Sequence, residues 1–249
     1  MQITTDVLNA LGDSRVEGNM LFLGAQLERK LYVRANKVLE AAGGKWNRKE
    51  KAHIFETDAA DRIDQILMTG SIEIPRDEYN FFPSPQHIVD RMVKRTSPKP
   101  GDRVLEPEFG DARIIKTVMA AAPDAHITGV ELNIERFNAA QNAFALSRNT
   151  TLIHADFLDY RTDLKFNVII MNPPFLKRAD IKHLNHALDL LAEGGRLDAI
   201  MPSSLEFRQD SLTVALRQRI KSLGGTITPL PEGTFKQSGT MVNTVIVEI

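Results

Sequence analysis

From about residue 103 onward, short aliphatic and β-branched runs alternate with longer stretches whose apolar positions recur every three or four residues. The runs read as buried strands and the stretches as amphipathic helices. Strands are predicted over residues 103–106, 127–131, 151–154, 166–171, 196–201, 225–228 and 242–249. Helices are predicted over 85–94, 113–121, 134–146, 181–191 and 212–223. Such alternation implies an α/β fold, a mostly parallel sheet covered by helices on both faces. Ligands of these sheets bind at the carboxyl ends of the strands.

The amino-terminal part follows a different pattern. Leu31, Ala35, Val38, Leu39 and Ala42 fall at helical spacing, and Gly43-Gly44 supplies a stop. Lys45-Trp46-Asn47 and residues 52–55 flank the polar turn Arg48-Lys49-Glu50-Lys51, which reads as a hairpin. Asp58 is placed to cap a second helix through Ile63, Ile66 and Leu67, ended by Gly70. The pattern changes near Pro75-Arg76-Asp77-Glu78. Two domains are therefore expected: a small α+β unit over 1–78 and a larger α/β unit over 79–249.

Composition narrows the class. With 249 residues, 43% hydrophobic and 25% charged, the chain has ordinary globular makeup. No apolar run approaches the ~20 residues that span a bilayer, and the amino terminus lacks a signal-peptide layout, so a cytoplasmic protein with no membrane partner is expected. The absence of cysteine excludes a disulfide framework and a thiol nucleophile. His183 and His186 lie three apart on a predicted helix, but no third ligand accompanies them, so no metal site is expected. A net charge of -1 predicts no nucleic-acid binding from composition alone. The exception is local: Lys45, Trp46, Arg48, Lys49 and Lys51 combine charge with the single tryptophan, which suits phosphate contact and base stacking. A solvated hairpin around a core tryptophan is the plainer alternative. No domain is expected after the seventh strand, so, apart from modest inter-strand loops, residues 1–78 are expected to be the surplus available for gripping nucleic acid.

Four strand-end loops carry candidate chemistry. The sharpest is Asn172-Pro173-Pro174-Phe175, directly after Val168-Ile169-Ile170-Met171. Two prolines forbid strand or helix to continue. The loop offers one side-chain amide, carbonyls with few amide donors beside them, and an aromatic ring, a set suited to a planar substrate with an exocyclic NH₂. A proline turn with a core phenylalanine is the other reading. The remaining loops are Glu106-Pro107-Glu108-Phe109-Gly110-Asp111-Ala112, Glu131 at the next strand end, and Asp156-Phe157 after the third. An acid about 20 residues beyond a glycine-bearing first turn is where ribose hydroxyls are held in nucleotide-binding α/β folds.

In this order the motifs resemble those of the class I, S-adenosylmethionine-dependent N6-adenine DNA methyltransferases, over roughly residues 80–249. The resemblance implies a Rossmann-like, seven-stranded fold with S-adenosylmethionine as cofactor and DNA as partner. It also implies site roles. Phe82-Pro83-Ser84-Pro85 resembles the stretch that packs on the cofactor's methionine end, and Glu106, Pro107, Gly110 and Asp111 belong to the glycine-rich cofactor loop. Glu131 matches the ribose-binding acid, Asp156 and Phe157 the adenine-binding pair, and Asn172, Pro173, Pro174 and Phe175 the catalytic tetrapeptide. Residues 235–240 and the last strand resemble the closing loop and antiparallel hairpin. Ser84-Pro85 also reads as a helix cap followed by a first-turn proline. The implied activity is methyl transfer to adenine N6 by a stand-alone bacterial, phage or plasmid enzyme. An rRNA base, a protein glutamine amide and a non-catalytic relative remain alternatives.

Two departures from the family pattern bear on the last of these. Ala112 stands where a second glycine is usual, and a left-handed backbone there costs alanine ~1–2 kcal/mol. Glu108-Phe109 replace small residues: Phe109 is expected to add bulk where the cofactor sits, and Glu108 either to oppose its carboxylate or to pair with its amino group.

Overall fold

The computed structural model describes residues 3–24, 27–56, 58–72, 82–175, 178–238, 240 and 242–249. The division point expected at Pro75–Glu78 lies outside the described residues, as does Gly239 of the expected closing loop.

Helix α1 (Thr5–Gly12) leads into the strands β1 (Arg15–Glu17) and β2 (Met20–Phe22). Then follow α2 (Arg29–Ala41), β3 (Lys45–Asn47), β4 (Ala52–Ile54) and α3 (Ala59–Thr69). The four strands form one antiparallel sheet in the order β1-β2-β4-β3. The basic hairpin is β3–β4, with Trp46 opposite His53. Asp58 caps α3 by accepting from the Ala60 amide, and Gly70 ends it at φ 62°. Helix α1 and the β1–β2 hairpin are not among the predicted elements; the three-residue strands β1 and β2 are too short to display alternation.

The larger sheet contains β5 (Arg103–Pro107), β6 (His126–Glu131), β7 (Thr150–His154) and β8 (Phe166–Met171). It continues with β9 (Leu191–Pro202), β10 (Thr226–Pro229) and β11 (Thr244–Glu248). Their order is β10-β11-β9-β8-β5-β6-β7, and only β11 runs against its neighbours. This is the expected seven-stranded, mostly parallel, Rossmann-like arrangement. The helices are α4 (Gln86–Thr96), α5 (Arg113–Ala121), α6 (Ile134–Ala143), α7 (Ala179–Leu190), α8 (Ser204–Phe207) and α9 (Ser211–Ser222). Period-two alternation divides the strands between two cores. Val168 and Ile170 join Ile88 of α4 and Ile115 of α5 on one face, while Ile169 and Met171 join Leu184 of α7 and Leu216 of α9 on the other.

Several predicted limits move. The helix from residue 134 stops at Ala143, the last strand begins at Thr244, and β9 begins earlier, at Leu191. Pro85 rather than Ser84 occupies the cap position of α4, and no side chain caps that helix.

Sheet order reverses between β5 and β8, which places a crevice at their carboxyl ends. The amino-terminal unit packs beside it. One apolar cluster runs from Leu21, Leu39 and Ile66 to Val168 and Ile246. Buried Arg208, after α8, donates to Asp58 and Asp61 of α3 at 3.1 Å each.

Candidate active site

A cleft occupies this crevice. Phe82, Glu131, Asp156, Phe157 and the whole of Asn172–Phe175 line it, so four sequence-distant segments converge there. Glu108, His183 and Phe235 line it as well, together with Met68 of α3, which brings the amino-terminal unit to the cleft wall.

The loop after β8 owes its stiffness to Pro173 and Pro174. Its asparagine is oriented from 90 residues upstream. Asn172 Nδ2 donates to the Phe82 carbonyl and to Ser84 Oγ, both at 3.1 Å. A backbone carbonyl accepts only, so the NH₂ must face it, and the amide oxygen is turned the other way. Both amide hydrogens are thereby used, and the oxygen makes no hydrogen bond among the described residues. Ser84 thus acts as an acceptor for Asn172 rather than as a helix cap. The segment itself is held from two further sides: Arg113 bonds the Ser84 carbonyl, and Ser238 Oγ donates to the Pro83 carbonyl at 2.6 Å. Phe175 lines the cleft but is only 8% exposed and belongs to the core cluster.

The carboxylates differ in their engagement. Glu131 accepts from the Gly110 amide with one oxygen at 2.8 Å and from the Asn133 amide with the other at 2.7 Å. Asp156 accepts from the Leu158 amide at 2.8 Å, capping the 3₁₀ turn that carries Phe157. Glu106 turns away from the cleft and accepts from the Ile115 amide of α5. Burial pushes its carboxyl well above the usual carboxylate range. Pro107, Gly110 and Asp111 are likewise absent from the cleft lining; Asp111 faces Arg113. In this structure Glu106 is engaged by α5, Gly110 donates to Glu131 and Asp111 meets Arg113.

Two loop positions answer the question of fit. Ala112 is left-handed at φ 58°, so it bears the strain expected of it. Phe109 corrects its expectation. It is 2% exposed and packs downward against Gly129 of β6, so its ring adds no bulk to the cleft. Glu108 is also left-handed, at φ 54°, and its carboxylate meets His183 Nδ1. From the sequence His183 is weighed only as a metal ligand, and its pairing with Glu108 is missed because that partner lies 75 residues away. What remains is a cleft with acidic acceptors at one end, aromatic walls and a free amide oxygen. That acceptor set fits a nucleoside-bearing cation, and no side chain among the described residues fills the space.

On the basic hairpin, Lys45, Arg48, Lys49 and Lys51 are exposed, and Trp46 is 42% exposed beside the buried His53 ring. The tryptophan is therefore not a core residue.

Residues 95–222, just over half of the chain, match the family described as methyltransferase small domain. Among curated proteins, the chain is 29% identical over 103 residues to the type II methyltransferase M.CvrRI of Paramecium bursaria Chlorella virus XZ-6E. That match covers 41% of this chain and 26% of the viral protein. It is 31% identical over 102 residues to the tRNA1(Val) (adenine(37)-N6)-methyltransferase of Aliivibrio fischeri, covering 32% of this chain and 43% of the relative. The chain thus spans less than half the length of either. Among solved structures, the modification subunit of a proposed type I restriction enzyme from Vibrio vulnificus YJ016 superposes with a TM-score of 0.57 at 15% identity. That likeness covers 99% of this chain and 65% of the other, and it is one of fold.

Proposed function

The chain belongs to the methyltransferase small-domain family, and on that premise we propose that it methylates the N6 nitrogen of adenine in DNA. The methyl donor is S-adenosylmethionine, which when bound supplies a methyl group on a positively charged sulfur. In this reading Glu131 holds the ribose hydroxyls, and Asp156 with Phe157 holds the cofactor's adenine. The Asn172 amide oxygen and the Pro173 carbonyl accept the two N6 hydrogens of the target base. Those two bonds favour a pyramidal nitrogen with its lone pair aimed along the line of transfer, and their fixed dipoles stabilise the positive charge that develops there. Alignment supplies much of the remaining acceleration. A base in duplex DNA must leave the stack to reach the cleft, where Phe175 offers an aromatic face.

The observation that carries this reading is the Asn172 amide, whose hydrogens are used by Phe82 and Ser84 and whose oxygen is left for a donor. The viral type II methyltransferase favours DNA as the polymer. The Aliivibrio relative, named for adenine in a tRNA, favours RNA as the second reading. The test is incubation with labelled cofactor and, separately, single-stranded DNA, duplex DNA, tRNA, rRNA and protein, followed by digestion and identification of the methylated product. N6-methyladenine from DNA is expected. Product from RNA alone replaces the substrate polymer, and cofactor binding with no product marks a non-catalytic relative.

The basic hairpin is assigned to the nucleic acid. Replacing Lys45, Arg48, Lys49 and Lys51 by Glu should weaken DNA binding and flatten its salt dependence, because fewer counterions are released. Cofactor affinity should stay as in the parent. A salt slope equal to the parent's would leave the hairpin a solvated surface.

A further inference from the structure

Three features of Glu108 are costly to the fold. Its backbone is left-handed, at φ 54°, which strains any residue carrying a side chain. One carboxylate oxygen meets His183, but Oε2 is fully buried and has no partner among the described residues. It also shares the cleft with the carboxylates of Glu131 and Asp156. Burial, together with those two like charges, raises its carboxyl above the usual range, and the bond to His183 opposes the rise. Each feature works against folding, and a ligand donor in the cleft would offset them.

Position identifies the donor. Glu108 follows β5 and His183 lies on α7 after β8, so the pair bridges the point where strand order reverses. The Phe109 amide bonds the Val130 carbonyl at 3.1 Å, laying this backbone against the end of β6. The His183 ring lies 5.9 Å from that of Phe157. Glu108 therefore stands among the residues assigned to the nucleoside. Both oxygens of Glu131 already accept backbone amides, whereas Glu108 Oε2 accepts nothing among the described residues. A vicinal diol presents two donors, and Glu131 and Glu108 approach from adjacent strand ends.

We propose that Glu108, oriented by His183, accepts a hydrogen bond from a ribose hydroxyl of the bound cofactor and makes the cleft selective for ribonucleosides over deoxyribonucleosides. This rests on the reading of the cleft as an S-adenosylmethionine site. Glu108 is a binding residue here and His183 a positioning one.

Calorimetric affinities for S-adenosylhomocysteine, 5′-methylthioadenosine and the 2′-deoxy and 3′-deoxy forms of the latter test it. The parent should prefer 5′-methylthioadenosine over one deoxy form by about 10- to 100-fold, as expected for a charged hydrogen bond. Glu108→Ala should erase that preference, weakening the ribo form and leaving the deoxy form unchanged. Glu108→Gln, which keeps the shape, should retain part of it, and His183→Asn should reduce it less than Glu108→Ala does. Equal weakening of ribo and both deoxy forms would make Glu108 structural and overturn the proposal. A loss seen with S-adenosylhomocysteine but not with 5′-methylthioadenosine would move the contact to the amino-acid end and overturn it too. A parent that binds neither ligand would sink the cofactor reading itself.

Discussion

Two strand-end loops face each other across the crevice, and they obtain their shapes in opposite ways. The loop after β8 is stiffened by its own covalent chemistry, since Pro173 and Pro174 restrict the backbone wherever they occur. The loop after β5 has left-handed residues at Glu108, Gly110 and Ala112, yet only one of these is glycine. Its shape is imposed by neighbours: Glu131 takes the Gly110 amide, Phe109 is seated against Gly129, and His183 holds Glu108. Rigidity made locally survives changes elsewhere in the molecule. Rigidity borrowed from neighbours is lost when the neighbour changes, and it allows a strained residue to persist where a ligand needs it.

Substitutions separate the two cases. The largest effect belongs to the local loop. Asn172→Ala should slow transfer by about 10²–10³-fold, the loss typical of a preorganised polar group at a reacting centre, with cofactor affinity nearly unchanged. Single-turnover rates and calorimetry measure both, and a rate near the parent's would remove Asn172 from the chemistry. Next comes a neighbour of the borrowed loop. A Cβ at Gly129 would meet the Phe109 ring and Ile115 at 2.8 Å each. Gly129→Val should therefore cost ~1–3 kcal/mol of stability, the range for overpacking, and weaken cofactor binding through a displaced loop. Urea denaturation paired with a binding titration reports both, and unchanged cofactor affinity in a destabilised protein would show that the loop does not depend on this support.

Smaller effects refine the contrast. Ser84→Ala removes one of two acceptors of the Asn172 amide, worth ~0.5–1.5 kcal/mol. It should reduce kcat several-fold with little change in the cofactor's dissociation constant; the reverse pattern would place Ser84 in cofactor binding instead. The smallest is a gain. Ala112→Gly relieves ~1–2 kcal/mol of left-handed strain, less the greater freedom glycine brings to the unfolded chain, ~0.4–1 kcal/mol. The net is a stabilisation of between about 0 and about 1.6 kcal/mol, read from the urea midpoint. A lower midpoint would mean that the alanine side chain packs better than its backbone is strained.

Local rules carried much of the architecture. The alternating pattern specified the large sheet and most of its helices, Asp58 and Gly70 bounded α3 as their chemistry requires, and the β3–β4 hairpin follows from its polar turn. The motif-bearing strand ends were legible too, since strands and motifs follow one another along the chain, whereas the sheet order β10-β11-β9-β8-β5-β6-β7 was not. Element existence depends on periodicity and turn chemistry within a dozen residues, and for that reason a sequence can declare it. Side-chain direction at the site does not. Whether Phe109 enters the cleft or the core, whether Ser84 caps α4 or receives Asn172, and whether Glu108 meets His183 depend on groups 20 to 88 residues distant. The sequence by itself determined the elements and the order of the motif-bearing loops; tertiary structure decided which of their side chains enter the crevice and which way they turn, because that choice is imposed by packing and hydrogen bonds with residues distant along the chain.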